Sequence, residues 1–237
     1  MGYYINPGNC DYSELLNSEV VVDKSLLIEK MNRRLHTKTK YVCVSRPRRF
    51  GKSTDANMLV AYYSKGCDSH ELFDHLNIAH TEEYKEHLNQ HNVIHLNMQE
   101  FLSDASCITE MIDLLNKEIL YELSKDYDVY VTISSIKHYL KRIFTEYKQT
   151  FIFVIDEWDC IFREFKMDKE AQEKYLDFLR DLLKDKPYVE LCYMTGILPI
   201  KKYGTHSALN MFDEISMIES TSFSHFMGFT EEEVKSL

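Results

Sequence analysis

Residues 151–155 form a run, Phe151-Ile152-Phe153-Val154-Ile155, that is apolar at every position. A strand with one face in water alternates apolar and polar residues, whereas a strand covered on both faces is apolar throughout. The run therefore predicts the central strand of a sheet that has helices on both faces. Shorter strand-like runs lie at residues 41–45, 93–98, 189–194 and 212–218.

Segments with helical spacing of apolar residues separate these runs. They predict helices over residues 24–35, 53–64, 108–123, 133–147 and 169–184, with Gly66 as the cap of the second helix and short helices over 66–91. In the fourth helix the predicted apolar stripe is Ile133, Ile136, Leu140, Ile143 and Tyr147. Strands that alternate with helices indicate an α/β fold, a three-layer sandwich with a parallel sheet.

The length, 237 residues with 44% hydrophobic content, allows one large α/β domain or two small ones. We expect a lead-in segment and helix over residues 1–40, a core over 41–220, and the start of a lid or C-terminal domain over 221–237. Thr230 and Glu233 have the spacing of a capping box, which opens a helix shortly before the sequence stops at Leu237. Because so short a helix is not stable alone, we expect a fragment of a longer protein.

Cysteine spacing and hydropathy bear on the cellular compartment. The six cysteines are far apart and form no CxxC pair, which favours thiols in a reducing cytoplasm over disulfides or zinc ligands. The N-terminus lacks a signal-peptide pattern, and no apolar stretch approaches the roughly 20 residues that span a bilayer. We expect a cytoplasmic protein with no membrane partner.

The charge of the chain is strongly acidic, with one exception. A formal net charge of −10 disfavours a surface that binds nucleic acid non-specifically, because that affinity comes mainly from cations on phosphates. However, Arg46, Arg48, Arg49 and Lys52 place four cations within seven residues. This local cluster predicts an anion as its partner.

The cluster lies between the apolar run 41–45 and a predicted helix. A phosphate-binding loop has the pattern Gly-x4-Gly-Lys-Ser/Thr, in which backbone N–H groups surround phosphates, Lys reaches the terminal phosphates, and the hydroxyl ligates Mg²⁺. Gly51, Lys52 and Ser53 complete the pattern, although Arg46 replaces its first glycine. The simpler alternative is a helix N-terminus that Ser53 caps. We predict that ATP phosphates bind to the loop formed by Arg46, Pro47, Arg48, Arg49, Phe50, Gly51, Lys52, Ser53 and Thr54.

Two carboxylates follow the central apolar run, at the strand end where open α/β sheets bind ligands. We predict that Asp156 holds Mg²⁺ with Ser53 and that Glu157 polarises the attacking water. The alternative for the pair is capping of the next segment. Thr195 ends the apolar run at 189–194, and its hydroxyl is a candidate contact to the γ-phosphate or to water, with a simple Thr-Gly turn as an equal alternative.

Other polar residues suggest further hypotheses. His87, His91 and His95 are spaced by four, but His95 lies on a predicted strand, so a shared metal ion is not expected. Arg163 and Arg180 are candidates for acting in trans on a neighbouring subunit, although surface arginines usually form solvated salt bridges.

Several segments together resemble one protein family. They are Val22-Asp23-Lys24, Arg46-Pro47-Arg48-Arg49-Phe50-Gly51-Lys52-Ser53, Phe153-Val154-Ile155-Asp156-Glu157-Trp158-Asp159, Thr195-Gly196-Ile197-Leu198 and Gly228-Phe229-Thr230-Glu231-Glu232-Glu233-Val234. This set is similar to the AAA-ATPase-like family of bacterial proteins, in which Arg at the first loop glycine is usual. The resemblance implies an additional-strand P-loop NTPase fold with strand order 5-1-4-3-2, and it implies the roles given above for Asp156, Glu157 and Thr195.

The resemblance also implies a partner domain. Members typically join this ATPase domain to a C-terminal domain similar to PD-(D/E)XK nucleases. The 237 residues contain no nuclease signature, so we expect contact with nucleic acid only through that further domain.

These observations leave three functions to compare. The first is a Mg²⁺-dependent ATP hydrolase that drives or gates an attached domain or partner, which Glu157 favours. The second is a nucleotide-dependent switch with little turnover, favoured by the missing lid. A small-molecule kinase ranks last, because the sequence shows no second substrate pocket.

Overall fold

The computed structural model describes residues 1–200, 209–216 and 223–236. Its centre is a sheet of five parallel strands: β1 (Tyr41–Ser45), β2 (Val93–Asn97), β3 (Phe151–Asp156), β4 (Val189–Gly196) and β5 (Asp213–Ile215). The strand order is β2-β3-β4-β1-β5. Read from the other edge, this is the predicted order 5-1-4-3-2.

Helices cover both faces of this sheet. Along β3, Ile152 and Val154 pack into one apolar layer, while Phe151, Phe153 and Ile155 pack into the other. Every residue of β3 is buried, as the uniformly apolar run predicted. The helices are α1 (Cys10–Leu16), α2 (Leu26–Asn32), α3 (Lys52–Tyr63), α4 (His70–Phe73), α5 (Tyr84–His87), α6 (Met98–Ser103), α7 (Ile108–Asp126), α8 (Ile136–Tyr147), α9 (Cys160–Glu164), α10 (Lys169–Leu183) and α11 (Glu231–Ser236).

Some predicted boundaries were wrong. Helix α8 begins at Ile136, and Ile133 is 56% exposed instead of forming the start of the stripe. Helix α3 ends at Tyr63, so Gly66 lies beyond its cap. Strand β2 stops at Asn97 because the Asn97 side chain accepts a hydrogen bond from Gln99 N and begins α6. The predicted last strand shortens to β5, and its residues 217–218 lie outside the described residues.

The strand register brings the predicted site residues to one edge. Ser45 of β1 pairs with Gly196 of β4, and Asn97 of β2 pairs with Asp156 of β3. Parallel strands all end at the same side of the sheet, so the loop after β1 and the carboxylates after β3 meet there.

The segment 223–236 packs next to the loop that follows β1. Thr230 and Glu233 form the predicted capping box, with Thr230 N donating to Glu233 Oε2 at 2.7 Å and Glu233 N to Thr230 Oγ1 at 3.2 Å. Lys24 of the lead-in segment holds the same carboxylate, with its Nζ 2.6 Å from Glu233 Oε1. Gly228 lies against Phe50, where an added Cβ would be 3.0 Å from the ring.

The remaining global predictions concern cysteines and membranes. All six cysteines are free thiols in this structure. Among residues 1–200, 209–216 and 223–236, none of the helices combines the length and the apolar composition that a membrane span needs.

Candidate functional site

The loop between β1 and α3 has the backbone of a tight turn. Arg49 and Gly51 have φ of +68° and +77°, a left-handed conformation that glycine adopts without the cost a Cβ imposes. Helix α3 then begins at Lys52. The loop therefore ends at a helix N-terminus, where free N–H groups and the helix dipole favour an anion.

Lys52 and Ser53 point toward the strand ends. Lys52 is 6% exposed, and its Nζ donates to the Pro47 carbonyl oxygen at 2.9 Å, so the ammonium is held across the loop. Ser53 Oγ donates to Asp156 Oδ2 at 2.5 Å. The hydroxyl and the carboxylate predicted to share Mg²⁺ are therefore in direct contact.

Asp156 is held by donors on three sides. Its Oδ1 accepts a hydrogen bond from the Thr195 hydroxyl and another from the Glu157 backbone N–H at 2.9 Å. Thr195 is completely buried on β4, the strand between those that carry the loop and Asp156. Its hydroxyl thus fixes the orientation of the Asp156 carboxylate, a role that the sequence did not suggest.

Glu157 has an unusual backbone for a residue with a Cβ, with φ of +53°. Its Oε2 accepts a hydrogen bond from Arg163 Nη2 in an ion pair. Arg163 also lies 3.5 Å from Asp159 Oδ2 and donates to Gln99 Oε1 at 3.4 Å. Arg163, considered from sequence as a group acting in trans, faces this site within its own chain. Arg180 pairs with Asp177 on the surface, as expected for a solvated salt bridge.

Lys52, Ser53, Glu157 and Arg163 line a cavity of about 660 Å³, whereas Asp156 lines a neighbouring cavity together with Ser53. Four cations and two carboxylates line the first cavity, so its walls carry net positive charge although the protein is acidic. A cavity of this size and charge suits a polyanionic small molecule. The lining residues are Arg48, Arg49, Gly51, Lys52, Ser53, Thr54, Asn97, Gln99, Glu157, Arg163 and Glu164.

A sequence model of the family described as predicted AAA-ATPase matches residues 8–205. The chain belongs to this AAA-ATPase-like family. The match spans the loop, both carboxylates and Thr195, and the family description indicates a nucleotide as the polyanion. No curated protein matches the chain in sequence.

Three loop residues predicted to bind phosphate do not line the main cavity of this AAA-ATPase-like chain. Arg46 is 6% exposed, its backbone N donates to Gly196 O at 3.1 Å, and burial lowers the pKa of its guanidinium. Pro47 contributes its carbonyl to Lys52. Phe50 lines a neighbouring cavity instead.

Sequence reasoning missed Asn97 and Gln99, which line the cavity from the end of β2. Their signal was available, because Asn97 follows an apolar strand in the same way that Asp156 does. Two of the three histidines at spacing of four, for which no shared metal ion was expected, lie close together. His87 Nδ1 and His91 Nε2 lie 3.0 Å apart, and His91 Nδ1 is 2.8 Å from Glu190 Oε1.

The oxygen atoms of Ser53 and Asp156 fit Mg²⁺, which prefers hard oxygen ligands and takes few of them from the protein. The described residues contain no group of three or more His, Cys, Asp or Glu side chains arranged to hold a metal ion by themselves. A magnesium ion at Ser53 would therefore need phosphate oxygens and water to complete its six ligands.

Proposed function

We propose that this chain is a P-loop NTPase domain that binds ATP with Mg²⁺ and hydrolyses it. The observation that carries the proposal is the contact of Ser53 Oγ with Asp156 Oδ2 at 2.5 Å, beside a cavity lined by Lys52 and three arginines. Phosphate-binding loops of this type place the Mg²⁺-ligating hydroxyl beside a strand-end carboxylate. Residues 41–220 form the proposed core.

Each residue of the loop has a proposed task. The N–H groups at the start of α3 bind phosphate oxygens, and the Lys52 ammonium moves from the Pro47 carbonyl to the terminal phosphates. Ser53 and Asp156 hold Mg²⁺, which neutralises charge on those phosphates when bound. Arg48 and Arg49 add positive charge at the cavity wall.

Hydrolysis needs a water molecule aligned with the γ-phosphorus. Glu157 lines the same cavity as Lys52 and is the proposed group that orients this water and accepts its proton. The water oxygen forms a bond to phosphorus while the bond to the ADP oxygen breaks. Asp156 is not proposed for this role, because it is held by Thr195 and Ser53 as the proposed metal ligand.

The ion pair between Arg163 and Glu157 supports the second candidate, a switch with slow turnover. Arg163 occupies the carboxylate that would orient water, so Glu157 acts only after Arg163 releases it. The γ-phosphate is an alternative partner for this guanidinium, which lines the cavity at 17% side-chain exposure. Under this proposal, turnover is governed by how readily Arg163 exchanges one anion for the other.

Contacts at the loop also support coupling to an attached domain or partner, with residues 221–237 as the proposed start of a lid or further domain. Phe50 of the loop touches Gly228, and Lys24 binds Glu233. A conformational change of the loop would therefore displace the segment 223–236. We propose that the domain coupled in this way is the nuclease-like domain expected from the family resemblance.

Titration with Mg-ATP tests the proposal directly. Lys52→Ala should raise Kd by about 10- to 150-fold, because one charge-assisted hydrogen bond contributes about 1.5–3 kcal/mol. Lys117→Ala, which removes an exposed lysine on α7, is the matched control and should leave Kd unchanged. Equal Kd values for wild type and a folded Lys52→Ala protein would rule out the phosphate-binding loop, and phosphate release by the wild type separates hydrolase from switch.

A further inference from the structure

A second cavity, of about 390 Å³, adjoins the phosphate-side cavity. Arg49, Gly51 and Thr54 line both of them, so a molecule bound to the loop can extend from one into the other. The walls of the second cavity are largely apolar and come from the lead-in segment, the loop and the segment 223–236. Its apolar lining residues are Leu15, Val20, Val21, Val22, Phe50, Phe226 and Phe229.

The apolar surface around this second cavity is not covered by the rest of the described chain. Val20, Val21 and Phe229 are 48%, 37% and 58% exposed, in a protein whose other β-branched and aromatic residues are mostly buried. Large apolar side chains gathered at a concave site indicate a binding surface. A flat, mainly apolar ring attached to a phosphate chain fits this position.

One acidic residue interrupts the apolar lining. Asp55 is 2% exposed, and its Oδ2 has no hydrogen-bond partner among the residues that the structure describes. Burial raises the pKa of this carboxyl, and the charged or titratable groups around it are Lys24, Lys52, Tyr12 and Tyr193. A buried polar atom without a partner is costly, so it needs a reason beyond the fold.

The position of Asp55 suggests that reason. It lies three residues after Lys52 on α3, so both side chains leave the same side of the helix. Lys52 faces the proposed phosphates, while Asp55 lines the neighbouring cavity. A ligand bound at Lys52 by its phosphates would bring its other end toward Asp55.

We propose that the second cavity holds the base of the nucleotide and that Asp55 accepts a hydrogen bond from the 6-amino group of adenine. This inference rests on the proposed function and adds the residue that selects the base. Hypoxanthine has a carbonyl oxygen in place of that amino group, and unsubstituted purine has only hydrogen. A site built to bond a ligand N–H rejects analogues that lack it, because its own buried group then stays unpaired.

The test compares three nucleotides on three proteins. Wild type should bind ATP about 10- to 100-fold more tightly than inosine triphosphate or purine riboside triphosphate. Asp55→Leu should abolish that ratio. Asp55→Asn should keep it, since an amide also pairs with the amino group and ring nitrogen of adenine. Binding of inorganic tripolyphosphate reports on the loop alone in each protein.

The outcomes separate this inference from the proposed function. If wild type binds neither ATP nor tripolyphosphate, the nucleotide site itself is wrong. If it binds ATP but does not distinguish the analogues, or if Asp55→Leu keeps the wild-type ratio, the role of Asp55 is refuted while the nucleotide site stands. Guanine also carries N–H donors, so tighter binding of GTP than of ATP would overturn the assignment of adenine.

Discussion

Replacing Thr195 by Val tests whether its hydroxyl holds the Asp156 carboxylate. Valine has nearly the same shape, so at this fully buried position the substitution removes the donor without opening a cavity. The lost hydrogen bond goes to a carboxylate, and such bonds contribute about 1.5–3 kcal/mol. Asp156 keeps its hydrogen bonds from Ser53 and from the Glu157 N–H, which places the expected loss near the lower limit.

A loss of about 1.5 kcal/mol corresponds to a fall in Tm of about 3–6 °C for a domain of this size. Thermal unfolding followed by circular dichroism measures it, and Thr195→Ser, which retains the hydroxyl, is the control. The same substitution should raise the Mg²⁺ concentration needed for half-maximal ATP binding by about tenfold. Groups that orient a metal ligand change metal affinity on that scale.

Thr195 would have no role in holding Asp156 if the Val protein matched wild type in both Tm and Mg²⁺ dependence. A fall in Tm with unchanged Mg²⁺ dependence would limit the role of the hydroxyl to stability. The Thr195→Ser protein should behave as wild type in both assays, since serine can donate the same hydrogen bond.

Three further substitutions make separate tests. Glu157→Gln should preserve Mg-ATP binding and lower phosphate release by a factor of about 10² or more, and equal rates would refute its role with water. Charge reversal of Arg48 and Arg49 together should weaken ATP binding and reduce its dependence on salt, and no change in either would remove them from the anion site. Because burial raises the pKa of folded Asp55, its carboxyl favours folding below the unfolded pKa of about 3.9, and this stability is lost as pH rises through the folded pKa. Asp55→Asn should therefore raise the free energy of unfolding relative to wild type at neutral pH, and this gain should become smaller toward pH 4. Urea titrations at several pH values measure the difference, and a difference that stays constant across pH would contradict the prediction.

The sheet could be predicted because its information is local. The apolar run at 151–155 and the loop residues Gly51-Lys52-Ser53 each specify their structure through neighbours in sequence. The start of α8 is marked locally by Ser135, a typical N-cap residue, which the prediction of a helix from Ile133 overlooked. The hydrogen bond from Ile136 N to Asn116 Oδ1 of α7, at 2.9 Å, is a tertiary contact that the sequence pattern does not show.

The positions of the candidate-site residues in the fold were predictable to the same extent. Ser53 and Asp156 followed from their places at a helix start and a strand end, although their mutual contact required the fold. Glu157 pairs with Arg163 and has a left-handed backbone, and neither feature follows from the local sequence pattern. Asp55 looked like an ordinary helix residue, since its burial depends on packing of segments far away in sequence.

The contact between Gly228 and Phe50 has a thermodynamic consequence. Phe50 lies so close to Gly228 that an added Cβ would be 3.0 Å from the ring, so a shift of the loop toward the segment 223–236 would require that segment to move. Equilibrium linkage is reciprocal, so any molecule that binds this segment and favours one loop conformation must change nucleotide affinity, and the nucleotide must change the affinity of that molecule by the same factor. An antibody fragment against α11 that binds one loop conformation more tightly than the other would therefore act as an artificial effector of the proposed site, and either titration would measure its effect.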